Sequence, residues 1–338
     1  MDRKRRRKRR RRRNTGRVNY LKILCLIIVC GIIGGGAWYL AENTGDPIAR
    51  YEAAQYNTNI YQGKLFADSL CVASEEVSLD GFDSEWNTLN AAGLFNLKDQ
   101  KVVCGYNLYE KVYPASTTKL MTAYLALKYG NPEDVVTLNE DVENFAADEV
   151  TCGLKSGDQV TLQDLLCGLL LKSGNDCGVA IADHISGSVA TFAELMNQEA
   201  KKLGATGTHF VNPHGLHDDD HYTTAYDLYL IFDACIQDQR FMDIISMDSY
   251  TMTLTGEDGT QRTEEVLPTN YYSLNEIQAP EGIKIFGGKT GTTDEAGCCV
   301  ILYSENMDEN PYISVIMGAE TKNSLYQQMN QLLENGEK

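Results

Sequence analysis

The sequence predicts an α+β fold in which both ends of the chain feed one antiparallel sheet, with a block of helices between them. Three observations carry that expectation. Short β-like segments lie before residue 106 and after residue 282. Apolar spacings of three and four, bounded by helix stops, fill the stretch from about 115 to 236. A chain of 338 residues at 43% hydrophobic has ample material for a core, so a disordered chain is excluded.

The elements follow in order. Extended segments are expected near Leu70–Val77 and Ala91–Leu97, with Lys101–Gly105 returning after Lys98-Asp99-Gln100 as a hairpin. Pro114-Ala115-Ser116 leads into the clearest helix, Thr117–Tyr129, which Gly130-Asn131-Pro132 stops. Further helices are expected over Thr161–Leu171, Asp176–Ile185, Ala190–Leu203 and Thr224–Ile236. After a polar stretch the pattern turns β-like at Ile283–Phe286, Cys298–Tyr303 and Tyr312–Met317, and Ser324–Leu333 closes as a helix. There is no internal repeat.

The N-terminus differs in kind. The net charge of −17 hides an asymmetry: residues 1–17 hold 12 basic side chains and one acid, and the remaining 321 carry 18 basic and 46 acidic ones. The bulk of the protein therefore repels nucleic acid, and only the basic arm could bind it. Leu21–Leu40 is apolar apart from Lys22, the length of a membrane-spanning helix, with Tyr20, Trp38 and Tyr39 where an aromatic belt lies. The expected layout is a cytoplasmic arm over 1–19, an uncleaved signal anchor over 20–41, a tether over 42–59 and a catalytic domain over 60–335 outside the membrane. A cleaved signal peptide is the competing reading, against which stand the length of the apolar run and the lack of a small-residue cleavage site.

Ten cysteines include no C-x-x-C, so zinc-ribbon and thioredoxin readings have no foothold. Cys25 and Cys30 fall in the apolar span. The other eight read as small buried hydrophobes whose pairing is open.

Three short motifs carry the chemistry. Ser116-Thr117-Thr118-Lys119 is S-x-x-K at a helix start, Ser173-Gly174-Asn175 is S-x-N between two helices, and Lys289-Thr290-Gly291 is K-T-G just after a strand. A serine needs a base to take its proton, and positions i and i+3 of a helix share a face, so Lys119 can reach Ser116. A lysine acts as a base only when neutral, which burial and a neighbouring cation, Lys289, would arrange. Ser173 and Asn175 would bridge the two lysines and hold a substrate amide. Backbone N–H groups at the helix start would face a developing oxyanion. Glycines flanking Lys289 allow a peptide to lie against the strand edge, and Lys289, Thr290 and Thr292 make a pocket for a C-terminal carboxylate. The residues alone thus reach an acyl-transferring serine enzyme for a peptide-like substrate.

On these motifs the sequence resembles the serine D-alanyl-D-alanine carboxypeptidases, the low-molecular-mass penicillin-binding proteins. Pro114–Lys119, Lys172–Asp176 and Gly287–Thr293 carry the likeness, with further matches at Met196-Asn197, Phe210–Leu216, Thr223–Ala225 and Asp227-Leu228. The resemblance implies a serine β-lactamase/penicillin-binding-protein-like transpeptidase fold with a mostly helical subdomain, preceded here by one transmembrane helix. It implies that Ser116 is acylated by a peptidoglycan stem peptide, that terminal D-Ala leaves and that the ester is hydrolysed, with Ser116 also trapped by β-lactams. It assigns Ser116 as nucleophile, Lys119 as its base, Ser173, Asn175 and Lys289 as catalytic partners, and Thr290, Gly291 and Thr292 as substrate-binding. The oxyanion hole would be the N–H groups of Ser116 and Thr292. No cofactor or metal is expected, and the location is a bacterial cell membrane with the N-terminus inside. Two departures stand out. Many relatives carry a second β-rich domain and a C-terminal anchor, which the N-terminal span would replace here, and Cys177 stands where relatives usually have alanine.

His217-Asp218-Asp219-Asp220-His221 invites a metal site, but the segment reads as a loop without a general base. Acid-rich Glu140–Glu149 reads as solvated surface. A class A-like β-lactamase needs an E-x-x-L-N carboxylate, and Glu194-Leu-Met-Asn197 is the nearest approach. Against a non-catalytic β-lactam sensor or cell-wall scaffold stand the three intact motifs, and a sensor would also need a signalling module, which a 19-residue arm is too short to form.

Overall fold

The structure, a computed structural model, describes Tyr51, Ala67, residues 69–82 and residues 89–336. The chain divides after Tyr61. Of the unit Met1–Tyr61 only Tyr51, a helical residue, is described, and every element below belongs to the unit Gln62–Lys338. The expected arm and membrane span lie outside the described residues. Among those described, no helix is long and apolar enough to cross a membrane.

Both ends of this unit do build one antiparallel sheet. Strands β1 (Ala91–Asn96) and β2 (Lys101–Tyr106) come from its start, and β7 (Lys284–Thr293), β8 (Gly297–Glu305) and β9 (Pro311–Ala319) from its end. The order is β2-β1-β9-β8-β7, closed by the long-range pair of β1 with β9. Side chains alternate across a strand, so one face of the sheet takes Leu94, Val300, Leu302 and Ile316 into a cluster with Leu325, Met329, Leu332 and Leu333 of the terminal helix Lys322–Gly336. On the other face Phe95 stacks on Tyr229 of the helix Ala225–Ile236 at 4.1 Å between ring centroids. A sheet covered on both faces explains why Val300-Ile301-Leu302 is apolar without alternation.

Between the sheet's two halves runs the helical block. It comprises α1 (Lys119–Tyr129), α2 (Leu162–Cys167), α3 (Asn175–Ser186), α4 (Val189–Lys202), α5 (Ala225–Ile236) and α6 (Gln239–Ile245), and α7 (Lys322–Gly336) follows the sheet. Side-chain caps begin several of them: Thr161 accepts from Asp164 N, Ser188 from Thr191 N and Thr224 from Asp227 N.

The structure departs from the sequence reading at several points. Leu70–Val77 is not a strand. Only Val77 bridges Gly105, and the backbone of Cys71 is satisfied instead by the hydroxyls of Tyr226 and Tyr229. A second antiparallel sheet, β3 (Val135–Thr137), β4 (Gln159–Thr161), β5 (Tyr250–Thr255) and β6 (Gln261–Val266), was not expected. Its strands are short, and Gln261-Arg-Thr-Glu-Glu-Val266 lacks an apolar face. The helix expected over Thr161–Leu171 ends at Cys167 and continues as a wider π turn over Gly168–Lys172.

Candidate active site

Ser116 sits in a 3-10 turn, Ala115–Thr118, that feeds directly into α1. The Thr117 hydroxyl holds the turn by donating to Pro114 O at 2.6 Å. Ala115 has φ of 47°, an uncommon value for a residue with a Cβ. Gly215, at φ of 91°, presses against it, and a Cβ there would fall 1.8 Å from Ala115 O. Next to Ser116, Thr118 Oγ lies 2.8 Å from His221 Nε2, and His221 Nδ1 accepts from Val211 N at 3.0 Å. The accepting role of Nδ1 places the ring proton on Nε2, which donates to Thr118. Burial pushes the His221 imidazole down to about 4, so it is neutral at ordinary pH.

Lys119, one residue into α1, is fully buried. Its Nζ stands 3.0 Å from Ser116 Oγ and donates to Asn175 Oδ1 at 2.7 Å and to the His214 carbonyl at 2.6 Å. The i, i+3 geometry expected from S-x-x-K is therefore present, although the serine occupies the tighter turn and not the helix proper. Burial, reinforced by the neighbouring Lys289 ammonium, pushes Lys119 well below the usual lysine range. A neutral amine of this kind can take a proton from a hydroxyl.

The second motif is set by the π turn Gly168–Lys172, which Gly174 N closes onto Gly168 O at 3.0 Å. Wider turns of this kind recur at functional sites. Ser173 ends it in the left-handed conformation, φ 68° and ψ 31°, a strained state for a serine. Asn175 then starts α3. The two residues divide the expected bridging role: Asn175 takes Lys119, and Ser173 Oγ accepts from Lys289 Nζ at 2.9 Å.

Lys289 also donates to Thr290 O at 2.9 Å, and burial pushes it down to about 7. The K-T-G residues lie inside β7 and not after a strand, paired across to Ile301, Val300 and Cys299 of β8. This strand runs against the Ser116 turn. A Cβ on Gly291 would lie 2.8 Å from Ser116 N and 3.0 Å from the Ala115 Cβ, so only glycine leaves that N–H open. Ser116, Ser173, Thr290, Gly291 and Thr292 line one cleft of about 310 Å³. The sequence reading missed the rest of its wall: Val150, Lys172, Thr269, Cys299, Lys322, Leu325 and Tyr326. Of these, the Thr269 hydroxyl contacts Thr290 Oγ at 2.6 Å, and Lys172 pairs with Glu264 of β6 at 2.5 Å. Lys172 adjoins the S-x-N motif, and Lys322, Leu325 and Tyr326 share helical spacing on α7, but the wall draws on five separate stretches of chain, so no single local pattern marks it.

The alternative sites do not assemble. Both ring nitrogens of His221 are engaged, and His217 packs edge-on against Tyr113. Glu194 is exposed on α4 and is not in the cleft wall, while Asn197 ties α4 to Phe210 through N–H and carbonyl contacts of 2.8 and 2.7 Å. Cys152, Asp176 and Cys177 bring three ligand-type atoms within 4.8 Å. The Asp176 oxygens, however, already accept from the backbone N–H groups of Cys152, Leu154 and Cys177. Burial raises the Cys177 thiol well above its ordinary value, against the thiolate a metal requires. The cysteine fills tight space, since a Cβ on Gly168 would meet its sulfur at 2.6 Å. All eight described cysteines are free and buried.

Comparison with known proteins agrees with this geometry. The family described as D-alanyl-D-alanine carboxypeptidase matches residues 88–321. The D-alanyl-D-alanine carboxypeptidase DacC of Escherichia coli K12 is 32% identical over 286 residues, 80% of this chain and 65% of the relative. DacF of Bacillus subtilis 168 is 32% identical over 241 residues, 69% of this chain and 58% of the relative. The chain thus spans less than two thirds of either relative's length. Among solved structures, penicillin binding protein 5 from Haemophilus influenzae superposes with a TM-score of 0.65 at 30% identity, covering 75% of this chain and 72% of that one. The Streptomyces K15 DD-transpeptidase shares the fold, with a TM-score of 0.67 at 24% identity over 78% of this chain and 99% of that one.

Proposed function

The chain belongs to the D-alanyl-D-alanine carboxypeptidase family, and we propose that it removes the terminal D-Ala from peptidoglycan stem pentapeptides through an acyl-enzyme on Ser116. The observation that carries this reading is the convergence of the buried Lys119 on Ser116 and of the buried Lys289 on Ser173, with both serines lining one cleft.

The chemistry follows from the geometry. Ser116 Oγ attacks the carbonyl carbon of the penultimate D-Ala while its proton passes to Lys119 Nζ, 3.0 Å away. The negative charge on the carbonyl oxygen falls to the N–H groups of Ser116 and Thr292, an arrangement whose single donors contribute about 3 kcal/mol. The C–N bond to terminal D-Ala breaks, and Nζ returns the proton to the leaving amine. Water then cleaves the Oγ–C ester and restores the serine. Lys289, Thr290 and Thr292 receive the substrate's terminal carboxylate, and Gly291 keeps the strand flush with the peptide. A β-lactam carries a reactive amide and a carboxylate in a similar relation, so the same serine opens its ring.

The same reading places the enzyme on a bacterial cell membrane as a single-pass protein acting in cell wall biogenesis. The basic arm 1–19 lies inside, the span 20–41 anchors it, and the catalytic domain 60–335 faces the wall.

Labelled penicillin tests the acylation step. The chain should gain one penicillin mass per molecule, located on the peptide containing Ser116, and should release it slowly. Efficient turnover of penicillin would move the function to a β-lactamase, and a label on any other residue would remove the nucleophile.

A further inference from the structure

The segment Asn212-Pro-His-Gly-Leu216 lies outside all three motifs, yet it grips the start of α1 at consecutive points. Pro213 O accepts from Thr122 Oγ at 2.6 Å, His214 O accepts from Lys119 Nζ at 2.6 Å, and Gly215 abuts Ala115 O. Two side chains shape this segment, His214, whose Nδ1 accepts from Leu216 N at 3.2 Å, and Asn212, which makes the greater number of contacts. Asn212 Oδ1 accepts from His214 N at 3.2 Å and from Gly215 N at 2.7 Å, and its Nδ2 donates to Leu216 O at 2.9 Å. The turn is thus closed around an asparagine amide, and the His214 carbonyl is directed at Lys119 from inside it.

That direction matters because of valence. A neutral lysine amine has two N–H bonds and one lone pair. Asn175 Oδ1 and His214 O take the two N–H bonds at 2.7 and 2.6 Å, the shorter contacts of the three. The lone pair is left for Ser116 Oγ, 3.0 Å away, and with the amine neutral the hydroxyl is the donor across that contact. With either acceptor missing, Nζ can rotate an N–H toward the serine, and the base then faces its nucleophile with the wrong atom.

We propose that Asn212 is a positioning residue for acyl transfer: by closing the 212–216 turn it aims the His214 carbonyl at Lys119 and so holds the amine's lone pair on Ser116. The inference rests on the reading of Lys119 as the base.

The groups that face Nζ are Lys289 on β7, Asp176 and Cys177 on α3, Cys152 in the loop before β4, the His214 ring, and His221 beyond Thr118. Replacing Asn212 leaves the charged and acidic groups among them in place and moves only the His214 turn, whose ring is neutral at the pH of the assay, so a change in the pH profile reports the loss of the His214 carbonyl as acceptor. A carbonyl oxygen near Nζ favours the ammonium, and its withdrawal lowers the pH at which the lysine becomes neutral.

The experiment follows the rate of Ser116 acylation by a fluorescent penicillin across pH in the full chain, as wild type, Asn212→Ala and Asn212→Ser. Asn212→Ala should lower the plateau rate about tenfold or more, the scale of a misoriented reacting group, and move the acid limb to lower pH. Asn212→Ser, whose hydroxyl closes such turns more weakly, should fall between. End-point labelling of one penicillin per chain checks that each variant is folded. A wild-type plateau and limb in the alanine variant would overturn the proposal, and so would a limb moved to higher pH, the mark of water entering a loosened site. If Asn212→Ala takes no label at all, Asn212→Ser carries the test, and a wild-type profile there overturns it. A wild-type chain that is never acylated would instead remove the family function itself, together with the inference.

Discussion

Lys119, the proposed base, owes its state to its surroundings: burial and the neighbouring Lys289 hold it below the ordinary lysine range while Asn175 Oδ1 and the His214 carbonyl take its hydrogens. Lys119→Arg should therefore reduce penicillin acylation about 100-fold or more, because a guanidinium keeps its proton and cannot accept one from serine. Gly291 acts at the same scale by absence. Adding a methyl in Gly291→Ala puts carbon against Ser116 N, blocking one oxyanion donor. Acylation should fall about 100-fold, and the folded chain should still be isolated, as measured by stopped-flow labelling beside a thermal melt. At this scale the sequence was most legible, since Ser116, Lys119, Ser173, Asn175 and Lys289 are named by motifs whose spacing is itself chemical. Thr269 was not, because its role depends on Thr290, 21 residues away; Asn212 was read only as part of the segment Phe210–Leu216, because its local turn gains a role only where His214 O meets Lys119, 95 residues earlier.

Elements position those residues in ways that propensity shows only in part. The helices α1, α3, α4 and α5 were readable from apolar spacing and capping residues. The strand β7 was read as ending at Phe286, because Gly287-Gly-Lys-Thr-Gly291 has low strand propensity, yet pairing with β8 carries it to Thr293. The π turn that presents Ser173 was read as plain helix, because its five residues keep the helical apolar pattern. The clamp of α3 on the 150–154 loop is a further hidden feature. Asp176→Ala leaves three backbone N–H groups of that region without their acceptor and should cost about 3 kcal/mol, read as a shifted urea midpoint at unchanged slope. Cys177→Ala, which removes only a buried thiol, should cost about 1 kcal/mol or less and leave acylation near wild type. A large loss of rate in that variant would give the cysteine more than a space-filling part.

At the scale of the whole molecule, the sheet can close only when β1 meets β9, more than 200 residues later, so the site forms with the complete unit and not with any fragment of it. The helical block between them was legible as a block. The second sheet was not, since it is assembled from strands as short as three residues. Burial of charge also makes stability depend on pH. His214 and His221 titrate in the fold at about 3 and about 4, below the ordinary 6.5. At these two groups the folded state binds fewer protons than the unfolded chain between about 3 and 6.5, and the stability they contribute falls as pH drops through that window. Asp227 and Asp233, raised to about 6 by burial, act in the opposite direction above 3.8. His221→Asn should accordingly lose less Tm between pH 6.5 and 4.5 than wild type does, whatever its Tm at pH 7. The proposed layout makes a separate prediction: the full chain should sediment with membranes, and the chain from residue 42 should not. The predictions about catalysis rest on one claim, that Ser116 carries a stem-peptide acyl group. D-alanine release from a pentapeptide ending in D-Ala-D-Ala, measured with the chain from residue 42 beside its Ser116→Ala form, tests it most directly. The account predicts steady release by the first and none by the second, whereas release that survives the substitution, or none from a penicillin-labelled wild type, would contradict it.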